Sequence, residues 1–472
     1  MSSSNQGAHI LIFPYPAQGH MLPMLDLTHQ LAIRGLTITI LVTPKNLQTL
    51  DPLLSSHPSI QTLVLPFPHH SSLPSSVENV RDVGNIGNVP ITIALGKLHD
   101  PILQWFKSHP TPPVALLSDY FLGWTNQLAR QLGIPRITFF SSGAFFTCVL
   151  NNIWSNMETV RTLSVVIFPD LPRSPTFPID HLTSWCRQYL QSDPDWVFFR
   201  HGFIANMSSW GWVFNVFDGL EREYLDHLRK TMGHIHVWQV GPLHLLGGER
   251  TLDRVNPESD LSQDVMKWLD GCPDGSVLYV CFGSQKLLKR DQMEALAYGL
   301  EQSNFRFIWV VKLAMDQHGG YAYEFTPDGF EDRVSARGII LKGWAPQVMI
   351  LNHRAVGGFL SHCGWNSVLE GVTAGVMILA WPMEGDQFVT ARLLVENMGV
   401  AICVCEGANT VPNSVKLARA IALAMSRDIP QRLRVEELRG KAMEAIRAGG
   451  SSSKDLDGLV RELAQLQVKQ CE

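Results

Sequence analysis

Charge is scarce in this chain of 472 residues: Asp, Glu, Lys and Arg together make up 17% of it, where about 25% is usual for a soluble protein. Hydrophobic residues make up 45%, enough to fill a large core, so the sequence is not that of a disordered, collagen-like or coiled-coil protein. The formal net charge of −5 provides no basic surface for nucleic acid. At roughly 150 residues per domain, the length allows two or three domains.

Signals for disulfide bonding, secretion and membrane insertion are also missing. The eight cysteines are scattered without a CxxC pair, which is typical of free thiols in a reducing compartment. The first residues, MSSSNQGAH, have no basic segment of the kind that begins a secretory signal. The sequence contains no run of about 18 apolar residues that could span a membrane. We therefore expect a cytoplasmic protein with no transmembrane segment.

Several catalytic motifs are absent as well. The sequence has no GxSxG elbow, which argues against an α/β-hydrolase. It also has neither GxxxxGK[ST] nor GxGxxG after the first predicted strand, so the P-loop and simple dinucleotide-binding classes are excluded. No His/Cys cluster has the spacing of a zinc site. Asp193-Pro194-Asp195 matches the DxD pattern of a metal-dependent transferase, but two acids around a proline usually form a surface turn.

Apolar runs alternate with helical patterns in both halves of the chain. Strands are predicted at 9–13 and 36–42 with a helix between them, and the pattern resumes with a strand at 276–282. A strand, a helix and a strand at this spacing form a parallel pair, and continuous apolar strands indicate a doubly wound α/β sheet covered on both faces. Residues 246–262 are polar and contain glycine and proline, as a linker between two domains would.

Two candidate catalytic residues follow predicted strands of the first half. His20 lies shortly after the strand at 9–13, and Asp119 directly follows the apolar run at 114–118. Ligands of open parallel sheets bind beyond the carboxyl ends of the strands. A histidine side chain ordinarily titrates near pH 6.5, which suits a general base, and a carboxylate on its other ring nitrogen would fix its tautomer. A packed histidine at a helix start and a helix-capping aspartate remain the alternatives.

A third candidate is the helix start at 364–367, which follows the strand predicted at 356–360. The free N–H groups and the positive dipole end of a helix attract anions. An ordinary capped helix start is the alternative. The side chains that could add hydrogen bonds to a phosphate or a ribose there are His362, Asn366, Ser367 and Glu370.

Residues 344–387 read WAPQVMILNHRAVGGFLSHCGWNSVLEGVTAGVMILAWPMEGDQ. This stretch closely resembles the signature box of the plant family 1 UDP-sugar-dependent glycosyltransferases. The resemblance extends to FPYPAQGH near the start, to LLSDYFLGW, to QVGPL and to CFGS, and so spans essentially the whole chain. The opening segment is most similar to the group that glycosylates flavonols and simple phenolics.

The resemblance implies the α/β fold class called GT-B, in which two Rossmann-like doubly wound parallel-sheet domains face each other across a cleft. Residues 1–245 would then form the acceptor-binding domain and 246–262 the linker. Residues 263–450 would form the UDP-sugar-binding domain, and 451–472 a helix that crosses back to the first domain. The family also implies a monomer.

The resemblance further implies the roles of individual residues. His20 would remove a proton from the acceptor hydroxyl, with Asp119 orienting it, and Trp344 would stack on the uracil. UDP-glucose would be the co-substrate and no metal would be required. The implied donor-binding residues are Ser141, Ser284, Trp344, Ala345, Gln347, His362, Gly364, Trp365, Asn366, Ser367, Glu370, Asp386 and Gln387.

The function implied is an inverting O-glucosyltransferase that gives β-glucosides of small plant phenolics. Gln387 is the family's usual residue for UDP-glucose, although UDP-galactose, UDP-xylose or UDP-rhamnose, C-glycosylation, and a non-catalytic nucleotide-sugar-binding protein remain open. Met377 in place of a usual proline and Thr390 in place of a frequent asparagine could loosen the donor preference. The aromatic residues that could line an acceptor pocket, with core packing as the alternative, are Phe121, Phe140, Phe145, Phe146, Trp185 and Phe199.

Overall fold

The structure is a computed structural model that describes residues 7–233, 236–246, 260–283, 286–315, 321–323, 325–426 and 428–471. Most of the predicted linker, residues 247–259, lies outside this description. No helix in the described ranges is long and apolar enough to cross a membrane.

The chain divides into two compact units, each built on its own parallel sheet. One unit comprises Met1–Thr176, Trp185–Arg250 and Glu444–Glu472, and the other comprises Phe177–Ser184 and Thr251–Met443. The final residues of the chain therefore belong to the unit that contains its beginning.

The first unit is organised around a seven-stranded sheet. The strands in the first half of the chain are β1 (His9–Phe13), β2 (Thr37–Val42), β3 (Gln61–Val64), β4 (Ala115–Asp119), β5 (Arg136–Phe140), β6 (Val165–Ile167), β7 (Thr176–Pro178), β8 (Gly211–Phe214) and β9 (Val237–Gln239). The sheet has the order β3-β2-β1-β4-β5-β8-β9, and its neighbouring strands are parallel. Every residue of β1, β4 and β5 is buried, as expected of strands that helices cover on both faces.

Helices connect these strands, as parallel pairing requires. The α-helices are Gln18–Ile33, Asp51–Ser56, Asn88–Gly96, His99–Ser108, Thr125–Leu132, Ala144–Ser155, Met157–Val160, Trp185–Gln188, Pro194–Asn206, Asp218–Met232 and, at the end of the chain, Ser451–Cys471. The short 3₁₀ helices are Pro44–Leu50, Val80–Asp82, Asn85–Gly87, Tyr120–Leu122, Ile179–His181 and Leu243–Leu246.

The second unit has a six-stranded sheet of the same kind. The strands in the second half of the chain are β10 (Val277–Cys281), β11 (Arg306–Val311), β12 (Leu313–Met315), β13 (Tyr321–Tyr323), β14 (Gly338–Lys342), β15 (Val356–Ser361), β16 (Met377–Ala380) and β17 (Ala401–Cys403). The sheet has the order β14-β11-β10-β15-β16-β17 and is parallel, whereas β12 and β13 form an antiparallel pair. The helices of this half are Asp260–Asp270, Arg290–Ser303, Phe330–Val334, Gln347–Leu351, Trp365–Thr373, Gln387–Arg392, the π-helical turn Leu393–Asn397, Ser414–Met425 and Pro430–Ile446.

The last helix, Ser451–Cys471, packs into the core of the first unit. Leu456, Leu459 and Leu463 are buried in the cluster that also contains Ile10 of β1. At the end of β9, Asp455 Oδ2 accepts a hydrogen bond of 2.9 Å from the Gln239 backbone N–H. The helix is therefore an integral part of the first unit's core.

Shortening a leucine on this helix should destabilise the protein. Leu459 has no exposed surface, so Leu459→Ala leaves a cavity and should lower the free energy of unfolding by about 2–5 kcal/mol. Leu433 is 71% exposed, and Leu433→Ala should change it by less than about 0.5 kcal/mol. Urea unfolding measures both variants, and equal effects would contradict the packing described.

Candidate functional site

His20 and Asp119 meet at the carboxyl ends of two neighbouring strands. Asp119 is the last residue of β4, and His20 lies in the first turn of the helix that follows β1. Nδ1 of His20 lies 2.9 Å from Oδ2 of Asp119. The carboxylate is fully buried, whereas 17% of the histidine side chain is exposed. Because an ionised carboxylate only accepts hydrogen bonds, Nδ1 carries the proton and Nε2 is the nitrogen with the lone pair.

The imidazole of His20 is held on several sides. Ser141 Oγ lies 3.0 Å from Nδ1. The ring of Tyr120 stacks on the imidazole at a centroid distance of 5.4 Å, and Phe121 and Tyr15 meet it edge-on at 4.9 and 5.4 Å. These contacts fix the direction in which Nε2 points. Burial raises the pKa of Tyr15 far above its usual range, so its phenol stays neutral.

Asp119 also accepts the hydrogen bond expected of a helix-capping aspartate, which was the alternative interpretation of this residue. Its Oδ1 accepts a hydrogen bond of 2.9 Å from the Phe121 backbone N–H, at the start of the turn Tyr120–Leu122. The aspartate therefore caps a short helix and holds His20 at the same time. The cap fixes the carboxylate, because each of its oxygens has a partner.

The six aromatic residues proposed for an acceptor pocket are all buried, but they lie in different surroundings. Phe121 contacts His20 and also meets Trp185 and Phe199 at centroid distances of 5.5 and 6.0 Å. Phe145 stacks on Tyr224 at 4.2 Å. Aromatic packing of the core thus accounts for the contact of Phe145. The exposed fractions of the six side chains are 4% for Phe121, 3% for Phe140, 1% for Phe145, 5% for Phe146, 8% for Trp185 and 1% for Phe199.

In the second unit, Gln347 joins residues of the signature box that are far apart in sequence. Its amide nitrogen donates to Glu370 Oε2 at 2.7 Å and to Ser367 Oγ at 3.1 Å. Its amide oxygen accepts from the Tyr279 hydroxyl at 3.4 Å. Tyr279, on β10, was not among the predicted site residues, because nothing in its sequence context distinguishes it from a core tyrosine.

His362 lies between two glycine backbones. A Cβ atom added to Gly283 or to Gly364 would stand 2.5 Å from its Nε2, so both positions exclude a side chain. Its Nδ1 is buried and has no hydrogen-bond partner within the described ranges. Burial, and to a lesser extent the positive charge of Lys312, lowers the pKa of His362 to about 3. The imidazole is therefore neutral at physiological pH.

The remaining predicted donor residues have varied surroundings. Trp344 is 49% exposed, an unusual state for so large an apolar side chain. The Gln387 amide oxygen accepts from the backbone N–H groups of Met383 and Glu384, each at 3.0 Å. Ala345, Trp365 and Ser367 are buried, whereas Gly364, Asn366, Glu370 and Asp386 are partly buried. Ser284 lies outside the described residues.

The two positions that depart from the family pattern lie at different places in the second unit. Met377 is buried at the start of β16. The Thr390 hydroxyl donates to the Asp386 backbone carbonyl at 2.9 Å, so Thr390 braces the turn that carries Asp386 and Gln387.

The DxD-like sequence has a structural use. The Asp193 side chain accepts from the Asp195 backbone N–H and caps the helix Pro194–Asn206. The Asp195 carboxylate lies 3.0 Å from His70 Nε2. Both carboxylates thus have protein partners, and no cluster of three metal-binding side chains occurs in the part of the chain that was described.

Comparison with known proteins identifies the class to which this fold and these residues belong. The profile of the family "UDP-glucoronosyl and UDP-glucosyl transferase" matches residues 236–421. UDP-glycosyltransferase 89A2 of Arabidopsis thaliana is 50% identical over 471 residues, which cover 98% of each chain. The chain therefore belongs to the plant family 1 UDP-glycosyltransferases and is a glycosyltransferase with the GT-B fold.

Two further relatives are informative. Flavonol 3-O-glucosyltransferase UGT89B1 of Arabidopsis thaliana is 48% identical over 465 residues, covering 97% of this chain and 96% of that protein. The crystal structure of Arabidopsis thaliana UGT89C1 complexed with UDP-L-rhamnose is 40% identical, covers 98% of this chain and 100% of that one, and superposes with a TM-score of 0.81. The predicted fold class of two parallel-sheet α/β domains is confirmed.

The depressed pKa of His362 should make the stability of the free protein depend on pH. Below pH 6.5 the unfolded chain binds a proton at this histidine, whereas the folded protein does not until about pH 3. Folding stability is therefore lost as the pH falls below 6.5. His362→Gln removes this contribution, while all other groups titrate in both proteins.

We expect the melting temperature of the wild type to fall by about 2–4 °C more than that of His362→Gln between pH 7.5 and pH 5. Differential scanning calorimetry without UDP measures this difference. Equal falls in the two proteins would show that His362 protonates readily in the folded state.

Proposed function

We propose that the protein is an inverting glucosyltransferase that moves glucose from UDP-glucose to a hydroxyl group of a flavonol or a simple phenolic and gives a β-glucoside. The observation that carries this proposal is the hydrogen bond between His20 Nδ1 and Asp119 Oδ2. It leaves Nε2 as a base and pairs the imidazolium that forms with a buried carboxylate.

The reaction is a single displacement. Nε2 of His20 removes the proton of the acceptor hydroxyl, and the oxygen attacks the anomeric carbon of the sugar. The bond from that carbon to the diphosphate breaks on the opposite face, so an α-linked donor gives a β-linked product. A phenol has a pKa near 10, so an imidazole can assist its deprotonation more readily than that of an aliphatic alcohol.

The nucleotide would be bound in the second unit. The half-exposed Trp344 offers an aromatic face for the uracil, and Glu370, held by Gln347, can accept hydrogen bonds from ribose hydroxyls. The diphosphate would lie at the start of the helix Trp365–Thr373, where the N–H groups of the first turn and neutral His362 would donate to it without a metal.

Glucose is favoured by the orientation of Gln387. Because the amide oxygen accepts two backbone N–H groups, the amide nitrogen is directed elsewhere and can donate to sugar hydroxyls. UDP-L-rhamnose is the second candidate donor, since the relative UGT89C1 has been crystallised with it. A flavonol is favoured as the acceptor because the relative UGT89B1 is a flavonol 3-O-glucosyltransferase and because the aromatic ring of Phe121 contacts His20.

A donor and acceptor panel tests this function. UDP-glucose, UDP-galactose, UDP-xylose and UDP-L-rhamnose are each combined with flavonols, coumarins and hydroxybenzoates, with EDTA present, and products are identified by mass spectrometry. The highest kcat/KM is expected for UDP-glucose with a flavonol, with no effect of EDTA. Greater turnover with another donor would overturn the argument from Gln387. Loss of activity in EDTA would favour a metal-dependent transferase.

Removing the base should abolish most of the activity. His20→Ala should lower kcat by about 10²–10⁴-fold, the usual contribution of general acid–base catalysis, with little change in the affinity for UDP. His201→Ala, at an exposed histidine of the same unit, is the matched control and should retain wild-type kcat. Full turnover by His20→Ala would favour another mechanism, and absence of turnover in the wild type with UDP binding intact would favour a binding protein.

A further inference from the structure

Arg136 is a charged residue with almost no access to solvent. It is the first residue of β5, next to β4, and its side chain is 1% exposed. Each nitrogen of its guanidinium donates a hydrogen bond. The acceptors are Ser118 Oγ at 2.9 Å from Nε, Asn206 Oδ1 and Ser209 Oγ at 2.7 and 2.9 Å from Nη1, and the Asp119 backbone carbonyl at 3.2 Å from Nη2.

These acceptors are neutral, and within the described residues Arg136 forms no direct ion pair with a carboxylate. A buried charge without a counter-charge is costly. Burial lowers the pKa of Arg136 to about 9, and the charge of Asp119 opposes that shift. Asp119 is thus the anion that compensates the guanidinium, and the guanidinium in turn compensates a fully buried carboxylate.

The hydrogen bonds of Arg136 also connect it to the residues that surround His20. Arg136 holds Ser118 and Asp119 at the end of β4, and Asn206, which accepts from Arg136, donates to the Tyr120 backbone carbonyl at 2.8 Å. Tyr120 stacks on the imidazole of His20. One guanidinium therefore braces both the carboxylate and the ring that fix the imidazole.

We propose that Arg136 is a positioning residue of the transferase, which fixes the end of β4 and supplies the buried positive charge that balances Asp119. The inference rests on the proposed role of His20 as the base. Arg136 acts through Asp119, because four of its five N–H groups donate to the protein and a side chain that is 1% exposed is not accessible to a substrate.

The charge of Arg136 predicts a pH effect of definite sign. A positive charge opposes the uptake of a proton by the pair of His20 and Asp119, whichever of the two receives it. A neutral residue at position 136 should therefore move the acidic limb of kcat/KM to higher pH, by about one unit. The other ionisable side chains packed on the pair are the phenols of Tyr15 and Tyr120, which are neutral in this pH range.

The experiment measures kcat/KM from pH 5 to pH 9 for the wild type and a set of variants. Arg136→Met and Arg136→Gln remove the charge, and Arg136→Lys keeps it. Thr138→Val is the matched control, because Thr138 bonds Ser209 at 2.7 Å in the same network but does not contact Asp119. Should neither neutral variant fold, as judged by circular dichroism, Asn206→Asp keeps Arg136 and places a negative charge beside it.

The expected result is an acidic limb raised by about one unit in the neutral variants or in Asn206→Asp, and unchanged in Arg136→Lys and Thr138→Val. An unshifted limb in a folded neutral variant or in Asn206→Asp would overturn the proposal and leave Arg136 a structural residue. An equal shift in Arg136→Lys would overturn the role of the charge. Absence of transferase activity in the wild type would instead count against the proposed function itself.

Discussion

A strand that is covered by helices on both faces has little room for polar side chains, and this constraint decides where chemistry can occur in both units. The residues of β1 and β15 are buried throughout, so the first polar groups able to act on a ligand come where each strand ends. His20 follows β1, Asp119 ends β4, and His362 follows β15. The low charge of the sequence has the same origin, because two sheets of this kind require many continuous apolar segments.

The few charges that are buried are compensated within the protein. Asp119 is held by His20 and the Phe121 N–H, and Arg136 is held by acceptors from two segments of the chain, residues 118–119 and 206–209. Such groups are stable only when nearly every hydrogen bond is made. Substitution in this network therefore affects the geometry of the pair of His20 and Asp119 as well as the stability of the fold, which is why a readout other than activity is needed to separate the two.

Much of the fold could be predicted because its signal is local. The predicted strands at 9–13, 276–282 and 356–360 agree with β1, β10 and β15 to within a residue, since continuous apolar runs are distinctive. The edge strand β3 was missed because most of its residues are exposed and carry no apolar run.

Two kinds of feature were missed. One helix was missed although its start signal is present in the sequence, and contacts between distant residues were missed because the sequence contains no signal for them. The helix Pro194–Asn206 begins where a surface turn was predicted, although its aspartate cap and the proline in its first turn are a recognised helix start signal. The contacts of Arg136 with Asn206 and of Ser141 with His20 join residues 70 and 121 positions apart. Only the packed chain brings such partners together, and aromatic content alone likewise cannot separate a pocket from a core.

A comparison of two helix starts explains why the proposed anion site belongs to the second unit. Helices begin shortly after β5 and after β15, and both present the N-terminal amides that attract anions. At the first of these, Glu221 places its carboxylate 2.7 and 2.9 Å from the Ala144 and Phe145 N–H groups, and burial raises its pKa to about 7. The protein's own acid thus takes the place that a phosphate would occupy.

The helix after β15 follows Gly364, which has no side chain with which to cap it. Beside it stands His362, kept neutral by burial. A neutral imidazole can donate to a diphosphate in the ground state and as its charge grows on leaving, yet it does not hold the released UDP by a full ionic attraction. Binding by a helix end and uncharged donors is therefore compatible with a chain of net charge −5, and it favours turnover over tight retention of the product.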